Sequence, residues 1–194
     1  INKFKELYDK DLIEEVRSET SGSFQNLLIS LLQCQRSEEK HPDIKKCEQR
    51  AVELYEAGLG RRKPDTDVYN KIFALSSRNE MKYICQFYYK KYNQTMIEVL
   101  ENQFKSDSRD LYIAVLYGLL NPSEFFADKI KKSVKGLGTD DKTLIRVIIS
   151  RREKDLAKMK IFYQKKYNAS LCDEVVDDTS GDYQKLLKEI ITLA

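Results

Sequence analysis

The segment Phe87-Tyr88-Tyr89-Lys90-Lys91-Tyr92-Asn93 returns as Phe162-Tyr163-Gln164-Lys165-Lys166-Tyr167-Asn168, identical at six of seven positions and offset by 75 residues. The same offset pairs Asp107 with Asp182 and Leu111 with Leu186 without a gap. A partial third copy opens the chain. There Glu19-Thr20-Ser21-Gly22-Ser23-Phe24 matches Asp178-Thr179-Ser180-Gly181-Asp182-Tyr183 at an offset of 159. Such a register constrains the fold strongly, because each copy must be one supersecondary unit that buries its apolar face against neighbours. It divides the chain into a partial repeat (1–41), a full repeat (42–121) and a second full repeat (122–194). The first copy lacks its opening half and the chain starts at Ile1 without a methionine, so the expectation is a truncated or cleaved form of a longer protein.

Within each copy the apolar residues recur at helical spacing, as in Leu27, Leu28, Leu31, Leu32 and again in Leu186, Leu187, Ile190, Ile191. Glycine and proline are scarce, at 7 and 3 of 194 residues, leaving few breaks in that pattern. The fold class predicted is all-α, with about five short helices per full repeat stacked into a slightly curved array.

The charge balance excludes some partners. With 34 basic and 31 acidic residues, the formal net charge is +3, too small to announce a nucleic-acid binder. The aromatic-basic segments at 87–93 and 162–168 read as core rings with solvated lysines rather than as base-stacking platforms. Cys34, Cys47, Cys85 and Cys172 are scattered and His41 is the one histidine, which argues against a zinc site or a redox pair. Free thiols suit a reducing compartment. Cys85 and Cys172 read as small core hydrophobes and His41 as a surface linker residue. No Ser-His-Asp or Cys-His arrangement is present, so an enzyme is not expected. No apolar run reaches 18 residues and no signal-peptide pattern is present.

In the last repeat, Asn121-Pro122-Ser123-Glu124 predicts a helix start with a capping box, running to Lys135. Gly136 and Gly138 break it. Thr139 is placed to cap the next helix, with Asp140 and Asp141 in its first turn. That helix, through Ser150, reads as apolar almost all round and therefore as the most buried. Helices from Asp155 to Lys166, from about Ser170 to Asp177, and from Asp182 follow. The glycine loop itself is open to three readings: a phosphate cradle, a left-handed helix cap, or half of a metal site. A P-loop needs GK[ST] after a strand, and an EF-hand needs D-x-D-x-D-G; neither occurs. A loop that turns carbonyls outward suits a hard cation, but calcium takes 6–8 oxygens, so a carboxylate must come from elsewhere. The turn at Asp177 and Asp178 is the candidate.

The run Lys135-Gly136-Leu137-Gly138-Thr139-Asp140-Asp141, with Leu144-Ile145, Arg151 and an acid 40 residues beyond Gly138 (Asp178), resembles the endonexin signature of the annexins. The resemblance extends over the whole chain, as roughly two and a half of that family's four repeats. It implies calcium held by the carbonyls of Val134, Gly136 and Gly138 and by the Asp178 side chain, on a face that meets acidic phospholipid. Aspartate reaches less far than glutamate, which bears on affinity. The resemblance also implies that Leu137 contacts the membrane at the loop tip and that Arg151 is a buried, paired structural charge.

The middle repeat departs from the signature. Lys63 stands at the second glycine, Pro64 at the threonine and Gln103 at the acid, so loss of calcium is expected there. Arg61, Arg62 and Lys63 are instead candidates for direct contact with anionic headgroups, each worth about 1 kcal/mol near such a surface. Glu19 occupies the acid position of the partial repeat as an orphan or weak calcium ligand. The function implied is calcium-dependent attachment to acidic phospholipid membranes; the alternative is a calcium-regulated scaffold for cytoskeletal or other proteins. Either implies a cytoplasmic protein that becomes peripheral on membranes when calcium rises.

Overall fold

A computed structural model describes every residue of 1–194 except Gly60, Arg62 and Leu137. Among the described residues there are 13 α-helices and no strands, so the chain is all-α. It divides into two compact units, Ile1–Leu120 and Asn121–Ala194. None of the helices is long and apolar enough to cross a membrane.

The first unit begins with three helices: α1 (Asn2–Tyr8), α2 (Leu12–Glu19) and α3 (Gly22–Leu32). Five more follow: α4 (Ile44–Gly58), α5 (Thr66–Leu75), α6 (Arg78–Tyr92), α7 (Met96–Gln103) and α8 (Ser106–Leu120). α4 lies along α6, and α3 packs on α5 and α8. Their core gathers Leu27, Leu54, Tyr69, Phe73, Ile84, Tyr88, Leu100 and Tyr112. Starts and stops follow local chemistry. Ser77 and Glu80 form a capping box on α6, and Thr95 with Glu98 does the same on α7. Asn93 ends α6 in the left-handed region at φ 52°. Asn168 ends the equivalent helix at the same φ.

The second unit holds α9 (Pro122–Ser133), α10 (Asp141–Arg151), α11 (Leu156–Tyr167), α12 (Leu171–Asp178) and α13 (Gly181–Thr192). Its core joins Ile130, Leu144, Ile148, Met159, Tyr163, Val175 and Ile191. Arg151 sits among them as a largely buried cation, 17% exposed. It donates to Asp155 at 2.7 Å, and its guanidinium lies 4.5 Å from the Phe126 ring centre.

Four local expectations require correction. Asn121 makes no capping hydrogen bond, and Glu124 pairs with Lys166 at 3.5 Å rather than closing a box. The helix ends at Ser133, not Lys135, because Val134 already leaves helical geometry. α10 is not buried all round: Leu144, Val147 and Ile148 are buried, whereas Ile145 is 43% and Ile149 53% exposed. The buried three follow the i, i+3, i+4 stripe of a helix packed on one side. Finally, Cys85 and Cys172 do pack against the two cores but are only half-buried, whereas Cys47 is fully buried.

Candidate calcium-binding site

The loop between α9 and α10 turns at two glycines. Gly136 and Gly138 have φ of 127° and 91°, a region that side chains disfavour. A Cβ on either would meet nothing within 4 Å, so the backbone angle, not crowding, requires glycine. The loop is closed by the Asp140 N–H, which donates to the Ser133 carbonyl at 2.9 Å.

Asp140, not Thr139, caps α10. Its Oδ1 accepts from the Thr143 N–H at 3.1 Å, the geometry of an N-cap to the third helical residue. These hydrogen bonds hold the Asp140 carboxyl below its ordinary pKa. Thr139 is thereby released for a longer reach. Its Oγ1 lies 2.6 Å from Asp178 Oδ2 and 2.9 Å from the Asp178 carbonyl oxygen. This contact brings loop and distant acid together, and Asp178 Oδ1 keeps no partner among the described residues.

The turn carrying Asp178 has its own support. Thr179 Oγ1 donates to the Val175 carbonyl, and Gln184 Nε2 donates to the carbonyls of Val176 and Thr179 at 2.7 and 2.8 Å. The partial repeat is built alike: Thr20 reaches Val16, and Gln25 reaches Arg17 and Thr20. The signature does not contain Gln184; the signal for it in the sequence is the offset of 159, which pairs it with Gln25.

Loop and turn enclose a cleft of about 350 Å³ lined by Lys131, Val134, Lys135, Gly136, Glu174, Asp177 and Asp178. On its wall Lys131 Nζ bonds both oxygens of Glu174, at 2.6 and 2.7 Å, and the Tyr163 hydroxyl donates to Glu174 Oε2. Burial opposes the charge on Glu174, but the bonds from Lys131 and Tyr163 outweigh it, so its pKa lies below the usual range. The signature contains neither residue; the sequence marks Glu174 only as one of an acidic cluster with Asp173, Asp177 and Asp178, and gives no sign of its pairing with Lys131.

The donor set fits a hard cation. It offers backbone carbonyls and carboxylates, with no thiol or imidazole in the cleft. Among the described residues no three His, Cys, Asp or Glu side chains gather as a metal group.

The annexin family model matches residues 125–190. Mouse annexin A13 is 36% identical over 188 residues, spanning 97% of this chain and 59% of that protein. Human annexin A1 is 37% identical over 184 residues, spanning 95% and 53%. The solved structure of annexin III superposes with a TM-score of 0.93 at 31% identity, over 97% of this chain and 58% of that one. The chain belongs to the annexin family. It spans between about half and three fifths of the length of these annexins. A calcium-bound annexin (Sm)1 structure also matches, with a TM-score of 0.85 at 26% identity, over 98% of this chain and 57% of that one.

The other annexin-type positions are arranged differently. In the middle repeat Asp65 caps α5 as Asp140 caps α10, but the loop before it carries no glycine described at positive φ. Gln103, at the register of Asp178, packs inward. A Cβ on Gly58 would stand 2.6 Å from Gln103 Oε1 and 2.5 Å from Tyr69 Oη. Gln103 Oε1 is buried without a partner. Arg61 is folded onto its own loop: Nε donates to the Glu56 carbonyl at 3.1 Å, and the guanidinium pairs with Asp65 at 3.5 Å. Lys63 is exposed and has no polar partner among the described residues. Arg62 and Leu137, both expected at the membrane, lie outside the described residues. Glu19 ends α2, exposed and without a polar partner among the described residues.

Proposed function

We propose that this annexin attaches to acidic phospholipid surfaces in a calcium-dependent way through the second unit. The carbonyls of Val134, Gly136 and Gly138 and the Asp178 carboxylate would hold the ion. Calcium bound there supplies positive charge to which a lipid phosphate can add its oxygens. The observation that carries the reading is the Thr139 hydroxyl at 2.6 Å from Asp178 Oδ2, which sets the acid beside the glycine loop. The calcium-bound annexin (Sm)1 structure supports the choice of ion. Lipid and calcium must then strengthen each other's binding reciprocally.

The middle repeat supplies no comparable donor set, since an inward-turned amide replaces the acid. Its contribution is an electrostatic attraction that adds to the calcium contact without replacing it, through exposed Lys63 more than through Arg61, which is occupied locally. The test is co-sedimentation with vesicles of phosphatidylserine or of phosphatidylcholine alone, each in calcium and in chelator. Recovery with phosphatidylserine in calcium only supports the reading. Equal recovery in all four conditions, or none in any from folded protein, rejects it and favours the scaffold alternative.

A further inference from the structure

The two full repeats differ at the cleft in a concerted way. At the 75-residue offset, Glu174 corresponds to Val99, Asp177 to Asn102 and Asp178 to Gln103, and Lys131, which faces Tyr163 and Tyr167, has its counterpart in Tyr55, which faces Tyr88 and Tyr92. Thus the three carboxylates of the second unit's cleft are all uncharged in the first, and a tyrosine stands where the lysine does. The equivalent tyrosines of the two repeats, Tyr163 and Tyr88, are both fully buried. Tyr163 finds Glu174, whereas the Tyr88 hydroxyl has no hydrogen-bond partner among the described residues. The Lys131, Glu174 and Tyr163 group therefore occurs in the repeat that has the glycine loop and is dismantled in the repeat that lacks it.

From this we infer that Lys131 is a positioning residue that withholds Glu174 from the cation and so makes calcium binding depend on an external anion. The inference rests on the calcium reading above and deepens it. The cleft contains three carboxylates, Glu174, Asp177 and Asp178. The first already carries a bidentate ammonium, with the two side chains 25% and 27% exposed. A divalent ion in the cleft therefore meets two carboxylates that form no ion pair among the described residues, Asp177 and Asp178, and two lysine charges, Lys131 and Lys135. Its positive charge remains partly unopposed, and a lipid phosphate can supply what Glu174 does not. Without Lys131, Glu174 would add its charge to the cleft, and the ion would be held well without lipid. Lys131 also lies 5.3 Å from the Tyr167 ring centre, so its stem is packed and its charge is held at one place.

The experiment is calorimetric titration of calcium, without lipid and then with phosphatidylserine vesicles. It uses the wild type, Lys131→Met, Glu174→Gln, the double variant and Asp178→Asn, each checked for its melting temperature. Methionine keeps the packed stem and glutamine keeps an acceptor for Tyr163. A unit charge several ångströms from a bound cation shifts affinity by about three- to tenfold after solvent screening. Lys131→Met should raise lipid-free affinity by that factor, Glu174→Gln should lower it, and the double variant should return to within about twofold of wild type. The gain in affinity on adding vesicles should shrink in Lys131→Met. If both single variants weaken calcium binding, the pair is only a structural pin and the inference fails. Unchanged affinity in both overturns it equally. If the wild type binds and Asp178→Asn does not, such a failure leaves the calcium reading intact. If the wild type takes up no calcium with or without vesicles, both fall together.

Discussion

Thr139 and Asp178 meet across 39 residues of sequence, with the threonine hydroxyl 2.6 Å from the carboxylate and 2.9 Å from the carbonyl of the same residue. One hydroxyl thus ties the glycine loop to the turn between α12 and α13. Thr139→Val removes both bonds and leaves their acceptors to solvent. The expected loss is about 1–2 kcal/mol of stability. Calcium affinity should fall as well, while Thr139→Ser should keep most of both. Chemical denaturation and calcium titration of the two variants check this.

Gly58 is the pivot of the middle repeat's different solution. Its missing side chain makes room for Tyr69 and Gln103, whose polar atoms would lie 2.5–2.7 Å from any Cβ. Gly58→Ala should destabilise by about 1–3 kcal/mol through overpacking. Adding Gln103→Ala should recover part of that loss, because the amide is the more movable neighbour. Non-additivity in the denaturation free energies of the two singles and the double is the readout.

The paired tyrosines should respond in opposite directions. Burial pushes the Tyr88 hydroxyl up to about 12, and it has no partner, so Tyr88→Phe should be neutral or stabilising by up to about 1 kcal/mol. Tyr163→Phe removes a donor from the Glu174 carboxylate and should cost about 1–2 kcal/mol. Thermal unfolding of the two variants separates these outcomes.

Arg151 and Asp155 predict an acid limb of stability. Burial pushes the Asp155 carboxyl up, but bonds from Arg151 and Ser123 outweigh it and leave its pKa below the ordinary value. The unfolded chain then takes up a proton more readily than the native one. The stabilisation is complete above the unfolded carboxyl's pKa of about 4 and is lost as pH falls through the lower native value. Removing the cation in Arg151→Met leaves burial dominant and puts the native Asp155 pKa above the unfolded one, so the contribution reverses sign: the variant's deficit is full at neutral pH and shrinks as pH falls through the raised native value. At neutral pH the variant should be less stable by about 3 kcal/mol. Melting temperatures from about pH 3 to pH 7 give both quantities.

Much of this molecule was legible because the chain repeats. A duplicated segment must occupy equivalent places, so the register that aligned Tyr88 with Tyr163 located two core residues that are fully buried. The all-α class followed from spacing alone. Finer features depended on competition that spacing does not encode. Thr139 and Asp140 are both good caps, and the choice fell to Asp140 because Thr139 has a tertiary partner 39 residues away. The apolar run of α10 marked a buried helix, yet only one stripe packs inward, leaving Ile145 and Ile149 exposed. At the candidate site, loop and acid could be found from the signature. Lys131 and Glu174 could not, since their pairing spans three helices and becomes visible only when α9, α11 and α12 are assembled.

The central claim is that Asp178 and the glycine loop form one calcium-dependent contact with lipid. Its most direct test is co-sedimentation of the wild type and Asp178→Asn with phosphatidylserine vesicles, in calcium and in chelator. The account predicts that the wild type sediments only in calcium and that Asp178→Asn stays in solution under both conditions at an unchanged melting temperature. Calcium-dependent sedimentation of a folded Asp178→Asn, equal to that of the wild type, would contradict it.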